Sequence, residues 1–254
     1  MTKPRAVTGF FDELREAAAF LTSFVPGKGA PSSRSMAMFP VVGVSLGLLT
    51  GGVWRLARRV LAPLPAAAIV TMTDAAFTGA IHLDGVADVA DGMLAHVPMK
   101  TRLDIMREPQ IGAFGTVALT SALITRTSAL ASIEPSPLLL ASLWGCSRGM
   151  MVIGSRTLPY ARQGGLATPF LQSEGKTDGA LYAGVAAVVG GAIVATRTHG
   201  RRGLFGVIAG VLAGSLVLVS AKRRLGGFTG DVLGAAGVVC ETVGLLAIAK
   251  GSRR

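Results

Sequence analysis

The sequence predicts an all-α fold, a polytopic integral membrane bundle of about six or seven transmembrane helices. Half of the 254 residues are hydrophobic, mean hydropathy is +0.56, and only 15% are charged, against roughly 25% in an ordinary soluble domain. Apolar stretches recur along the chain, each about 20 residues long, which is what a helix needs to cross the hydrocarbon core. These stretches are rich in alanine and in the 34 glycines, small residues that let helix backbones approach closely.

The chain opens with GFFDELREAAAFLTSF at 9–24. Acidic residues stand where the apolar region of a secretory leader would begin. Phe10, Phe11, Leu14, Ala18, Leu21 and Phe24 recur at helical spacing, so an amphipathic helix on the membrane surface is expected. Spans follow near 36–54, 61–81, 112–133, 136–156, 180–196, 203–220 and 232–249. A soluble helical protein would have to hide too much apolar surface. No internal repeat or long linker divides the chain, so 1–254 is expected to form a single membrane domain.

The excess of 25 Lys and Arg over 14 Asp and Glu gives a net charge of +11. On so apolar a chain, the basic excess points to lipid headgroups or phosphate-bearing substrates and away from nucleic acid. Cys146 and Cys240 lie in apolar stretches and read as core packing, too few for a disulfide framework.

Five of the acids crowd into 84–108: Asp84, Asp88, Asp91, Asp104 and Glu108. Asp84, Asp88 and Asp91 fall at i, i+4 and i+7, one face of a helix, and Asp104 and Glu108 at i, i+4 on a second. Like charges so placed need a cation, solvent or a shifted protonation. Oxygen-only ligands suit one or two Mg²⁺ ions, which favour carboxylates, waters and substrate phosphates. An exposed acidic loop is the plainer alternative, but Gly85 and Gly92 beside the acids favour close backbone approach. Lys100, Arg102 and Arg107 interleave with the acids, and Arg takes phosphate oxygens bidentately. Arg107 also reads as a partner for Glu108 or a headgroup contact. His82 is an interfacial histidine or a base near the acids.

Two further segments break the apolar pattern. Residues 147–170 carry Arg148, Arg156, Arg162 and a Gly164–Gly165 pair, and 222–241 carry a glycine-rich turn, Asp231 and Glu241. Asp231 reads as a functional acid or as a cap of the last helix. Asp74 and Arg126 lie inside spans as partners or as bundle lining. If all seven spans cross, the 82–111, 157–179 and 221–231 loops share one face, as a composite site requires. Arg55, Arg58, Arg59, Arg197, Arg201 and Arg202 then fall on the other, against the positive-inside tendency.

HLDGVADVADGM and RLDIMREPQIGAFGTVAL resemble the signature of the cobalamin synthase family. AAFLTSFVP, FPVVGVSLG, SRGMMVIGSRTLPYARQGGLA and LGGFTGDVLGAAGVVCET resemble further family segments in the same order, over most of the chain. The resemblance implies Mg²⁺ dependence, a polytopic membrane location and a transferase reaction late in cobalamin assembly; the site is expected on the cytoplasmic face of the cell membrane. A ribose hydroxyl of α-ribazole, or of its 5′-phosphate, attacks the cobinamide-side phosphorus of adenosylcobinamide-GDP; GMP leaves, and adenosylcobalamin or its 5′-phosphate forms. Attack on a diphosphate needs charge neutralisation and in-line positioning more than a covalent nucleophile.

On this resemblance Asp84, Asp88, Asp91, Asp104 and Glu108 are expected to ligate Mg²⁺, with a catalytic role for Asp84, Asp88 and Asp91. Arg102, Arg107, Arg148 and Arg162 are expected to hold diphosphate or GMP, and Asp231 to orient a substrate or complete the metal shell. The D-x-x-D-G core of Asp88, Asp91 and Gly92 is also similar to CDP-alcohol phosphotransferases, the first alternative. A prenyltransferase would carry two separate acidic motifs, and a small-solute transporter would commonly carry internal repeats.

Overall fold

The computed structural model describes residues 9–26, 32, 34–162 and 179–249. The described residues form helices joined by turns, with one isolated bridge pairing Tyr160 with Phe228. The helices are α1 (Phe10–Leu21), α2 (Phe39–Ala57), α3 (Pro63–Thr78), α4 (Ile81–Leu94), α5 (Met99–Ile105), α6 (Ala113–Ala131), α7 (Pro137–Thr157), α8 (Gly179–Leu225) and α9 (Gly230–Ile248). A 3₁₀ turn, Ser35–Met38, leads into α2.

Among the described residues, four helices are long and apolar enough to cross a membrane, or five if the bent α3–α4 pair is one span. That count is below the six or seven expected, and it enters α8 once although the helix folds back at Gly200 into two arms. The 61–81 stretch ends at Thr78 and the chain turns by 91° into α4. Gly79 and Ala80 make that turn with φ of 59° and 57°; the second is a left-handed conformation that costs a residue with a Cβ about 1 kcal/mol or more. The 112–133 stretch folds as α6, but Arg126 and six Ser or Thr hydroxyls dilute its apolarity. The 180–196 and 203–220 stretches are two arms of α8, broken at Gly200 (φ 61°, ψ −148°). The chain folds back there, because Gly203 packs on the Ala195 carbonyl.

Glycines set the packing. Gly43, Gly47 and Gly51 of α2 lie on the backbone of α7 from Trp144 to Pro137, so α2 and α7 are antiparallel. The first arm of α8 packs on α7 through Gly184 and Gly191, and the second on α9 through Gly206, Gly210 and Gly214. With no Cβ between them, backbones meet directly, the packing that serves where lipid removes the hydrophobic drive. Trp54, Trp144, Phe228 and the Leu139–Leu140–Leu143 group fill the interior.

The expected N-terminal amphipathic helix is α1. Its Ala17 and Leu21 are buried, Phe20 stacks on Phe39, and Phe10 and Phe11 stay exposed. Following these contacts, the α4–α6 connection, residues 158–162 and the α8–α9 turn gather at one end of the bundle. The α2–α3, α6–α7 and Gly200 turns lie at the other. The 163–178 part of the 157–179 loop, including Gly164 and Gly165, lies outside the described residues.

Candidate active site

The bend at Gly79–Ala80 brings α4 across the end of the bundle against α9. Val86, Val89, Gly85 and Gly92 form its inner face. A Cβ on Gly85 would stand 2.7 Å from the Asp231 carbonyl oxygen, and one on Gly92 would meet α5 at the Arg102 carbonyl and Met106. The two glycines therefore seat the acidic helix against both neighbours. On the outer face Asp84 is exposed and Asp88 half-buried.

A cavity of about 420 Å³ opens beside them, bounded by α4, the 106–111 turn and α6. Asp84, Asp88, Arg107, Glu108 and Gln110 supply its polar wall, and Leu83, Ile111, Leu119 and Leu123 the apolar one. Asp88 stands at the polar end of the bundle, outside the four helices that qualify as spans. Its carboxyl is raised to about 7, first by burial, then by the charges of Asp84 and Asp231, with Arg162 opposing. The site holds more negative charge than its own cations offset.

Asp231 enters from the first turn of α9. Thr229 caps that helix, accepting from the Val232 amide at 3.2 Å, so capping does not fall to Asp231. Arg162 pairs with the Asp231 carboxylate at 2.9 Å and donates to the Met106 carbonyl at 3.2 Å, tying α9 to the end of α5. The Tyr160–Phe228 bridge joins the segment that carries Arg162 to the turn that leads into α9. The described parts of the three loops expected on one face do meet there.

Other expected site residues stand elsewhere or are engaged. Asp91 accepts hydrogen bonds from the Gly112 and Gly115 amides at 2.7 and 2.9 Å, so it caps α6 from outside. Asp104 faces solvent, 3.8 Å from an equally exposed Arg107. Arg102 turns onto the Gly92, Met93 and Val97 carbonyls at the end of α4, where Arg224 joins it on Met93. Arg148 is 1% exposed inside the bundle. The five carboxylates are not assembled into one shell: among the described residues, no group of three or more His, Cys, Asp or Glu is placed to hold a metal ion. What remains is an oxygen-donor pair, Asp84 and Asp88, on successive turns with Glu108 on the same cavity. That donor chemistry fits Mg²⁺, which is ordinarily held by one or two carboxylates with substrate phosphates completing its octahedron.

Arg148 belongs to a second cluster, buried at the level of Trp144. Arg126 pairs with Asp74 at 2.8 Å and with Glu241 at 2.7 Å. Arg148 pairs with the other oxygen of Glu241. Trp144 Nε1 donates to Asp74 at 2.7 Å, Ser147 donates to Glu241 at 2.6 Å, and Arg126 lies 5.2 Å from the Trp144 ring centroid. Two guanidiniums and two carboxylates cancel. Asp74, Arg126 and Glu241 stood out in the sequence as charges within spans; Trp144 and Ser147 did not, being ordinary helix residues. Gln110 was missed too, since an uncharged amide carries no signal. His82 is buried against Gly234 of α9, neither interfacial nor on the cavity.

A family model described as cobalamin-5-phosphate synthase matches residues 13–249. Among curated relatives, an adenosylcobinamide-GDP ribazoletransferase of Syntrophobacter fumaroxidans is 35% identical over 225 residues, 85% of this chain and 87% of its own. One of Bradyrhizobium diazoefficiens is 34% identical over 93% of both chains. One of Escherichia coli is 33% identical over 85% of this chain and 87% of its own. No solved structure matches.

Proposed function

The chain belongs to the cobalamin-5-phosphate synthase family, and from that premise we propose that it is an adenosylcobinamide-GDP ribazoletransferase whose reaction takes place at the α4 cavity. The ribose hydroxyl of α-ribazole, or of its 5′-phosphate, forms a bond to the cobinamide-side phosphorus. The bond from that phosphorus to the bridging oxygen breaks, and GMP leaves with that oxygen. The hydroxyl proton passes to a carboxylate of the cavity.

The observation that carries this reading is the joint lining of one cavity by Asp84, Asp88, Arg107 and Glu108, with the Asp231–Arg162 pair beside Asp88. Arg107, with no buried partner, is free to take a diphosphate oxygen. Asp84 and Asp88 would hold Mg²⁺, which would supply neutralisation of diphosphate charge. In the metal-free site Asp88 is raised to about 7; a cation held there would draw it back to its ionised form, so Glu108, on the same cavity, is the carboxylate left to accept the hydroxyl proton. Asp231, fixed by Arg162, orients substrate from the α9 side. The acidic end faces the cytoplasm. Arg15, Arg34, Lys100, Arg102, Arg107, Arg156, Arg162, Lys222, Arg223 and Arg224 at that end outnumber the six arginines at the other, the bias that sets cytoplasmic loops.

The test is turnover by the purified protein in lipid, supplied with adenosylcobinamide-GDP and α-ribazole, with and without Mg²⁺. GMP and the corrinoid product should appear together, only with Mg²⁺, and fall by about 10²-fold or more in Asp88→Asn. Unchanged turnover in Asp88→Asn would remove the cavity from the reaction.

A further inference from the structure

The other end of the bundle carries a feature the transferase reading does not use. The two arms of α8 enclose an apolar groove of about 540 Å³ directly beneath the Gly200 turn. Val188, Ala192, Leu204, Val207 and Val211 line it, with Thr196 and Arg197 at the turn end. It arises because the arms pack on different partners: the first follows α7, the second α9, and they touch each other at Ala195 and Gly203. Its volume lies in the usual range for small-molecule sites, about 300–1,000 Å³. α8 is also the most apolar of the four qualifying helices and the least buried, so the groove opens toward hydrocarbon.

The charge at its mouth is of one sign. Arg197, Arg201 and Arg202 are exposed and have no carboxylate partner among the described residues. α8 has neither Asp nor Glu along its 47 residues. Arg55, Arg58 and Arg59 sit at the same end, because Gly51 of α2 and the first arm of α8 both reach the start of α7 there. Glu134 is the one described acid in the adjoining turns at this end. Guanidiniums at the membrane edge can reach to the headgroup layer while their stems stay on apolar surface, and they bind phosphate bidentately.

We propose that the α8 hairpin is a binding site for an anionic phospholipid, with an acyl chain in the groove and the headgroup phosphate on Arg197, Arg201 and Arg202. Charge complementarity selects this occupant. An apolar helix from a second copy would fill the groove but leave three arginines unanswered, and a zwitterionic lipid would answer them more weakly.

The experiment uses the full chain purified in a neutral detergent and exposed to mixed micelles of phosphatidylglycerol or phosphatidylcholine. Bound lipid is counted by native mass spectrometry, and stability is followed by thermal unfolding. Phosphatidylglycerol should be retained at least tenfold more tightly than phosphatidylcholine and should raise the midpoint. Arg197→Gln/Arg201→Gln/Arg202→Gln should abolish that preference, while Arg197→Lys/Arg201→Lys/Arg202→Lys keeps most of it. Ala192→Phe, which fills the groove and leaves the arginines, should lower retention of both lipids. Far-UV helicity and α-ribazole turnover identify variants that are folded. Equal binding of the two lipids, unchanged retention in the folded Gln variant, or displacement of bound lipid by inorganic phosphate would overturn the proposal. So would a shift of assembly mass in Ala192→Phe with lipid retention intact, the signature of a second copy in the groove.

Discussion

Replacing Glu241 by Gln should test whether the buried charge cluster holds the bundle together. Glu241 is 1% exposed and bridges Arg126 and Arg148 with its two carboxylate oxygens. The native cluster is neutral. Glu241→Gln leaves two guanidiniums facing the single carboxylate of Asp74, with a net charge of +1 in the interior. Removing one partner of a buried pair costs about 3–5 kcal/mol, because the remaining charge stays desolvated. At about 1.4 kcal/mol per power of ten, the folded-to-unfolded ratio should fall by two to three and a half decades. The assay is unfolding by SDS in mixed micelles, followed by far-UV circular dichroism. A second substitution separates charge from shape. Glu241→Gln/Arg148→Met restores neutrality, since Arg126 and Asp74 still pair at 2.8 Å, and should recover more than half of the loss. If Glu241→Gln unfolds at the native SDS fraction, or the neutral double variant is no better than the single one, charge balance is not what the cluster contributes.

Asp91→Asn should weaken the start of α6, because one charged acceptor of the Gly112 and Gly115 amides is lost; hydrogen exchange at Gly115 should quicken with a cost of about 1–3 kcal/mol. In the metal-free protein the contribution of Asp88 to stability should fall as pH rises. Asp88 is raised from 3.8 to about 7 in the folded chain, so the fold binds that proton more tightly than the unfolded chain. The contribution is complete below about pH 4 and gone above about pH 7. Thermal midpoints in chelator should follow that slope, and Asp88→Asn should flatten it. Gly85→Ala should cut turnover without abolishing expression, because its Cβ would stand 2.7 Å from the Asp231 carbonyl oxygen and push α4 from α9; turnover equal to the parent protein would show that this seating is not needed.

The all-helical membrane architecture was legible because apolar stretches and small residues encode it directly. Span count was less so. A bend such as Gly79–Ala80 depends on two consecutive left-handed residues, and nothing in the composition of Ala80 announces one. The fold-back at Gly200 joins two stretches that read as separate spans. Spacing found the face of α4 but could not apportion its acids: Asp84 and Asp88 stay on the cavity, while Asp91 turns to the amides of a helix start 21 residues later. The arginines show the same limit. Arg107 and Arg162 reach the acidic end, whereas Arg102 is taken by local carbonyls and Arg148 by a carboxylate 93 residues away. Charge type is written in the sequence, but the partner is chosen by packing.

The order in which the charges of the buried cluster leave the ribosome follows from their positions. Asp74 emerges first and Arg126 can join it, so the first pair is balanced as soon as α6 is made. Arg148 follows in α7, yet its counter-charge is 93 residues further on. At about 5–20 residues per second, Arg148 waits on the order of 5–20 s for α9. During that interval Arg148 is without the carboxylate that pairs with it in the finished bundle. A nascent chain arrested before Glu241 is therefore expected to remain with the insertion machinery or be degraded, while arrival of the last helix supplies Asp231 to the site and neutrality to the interior together.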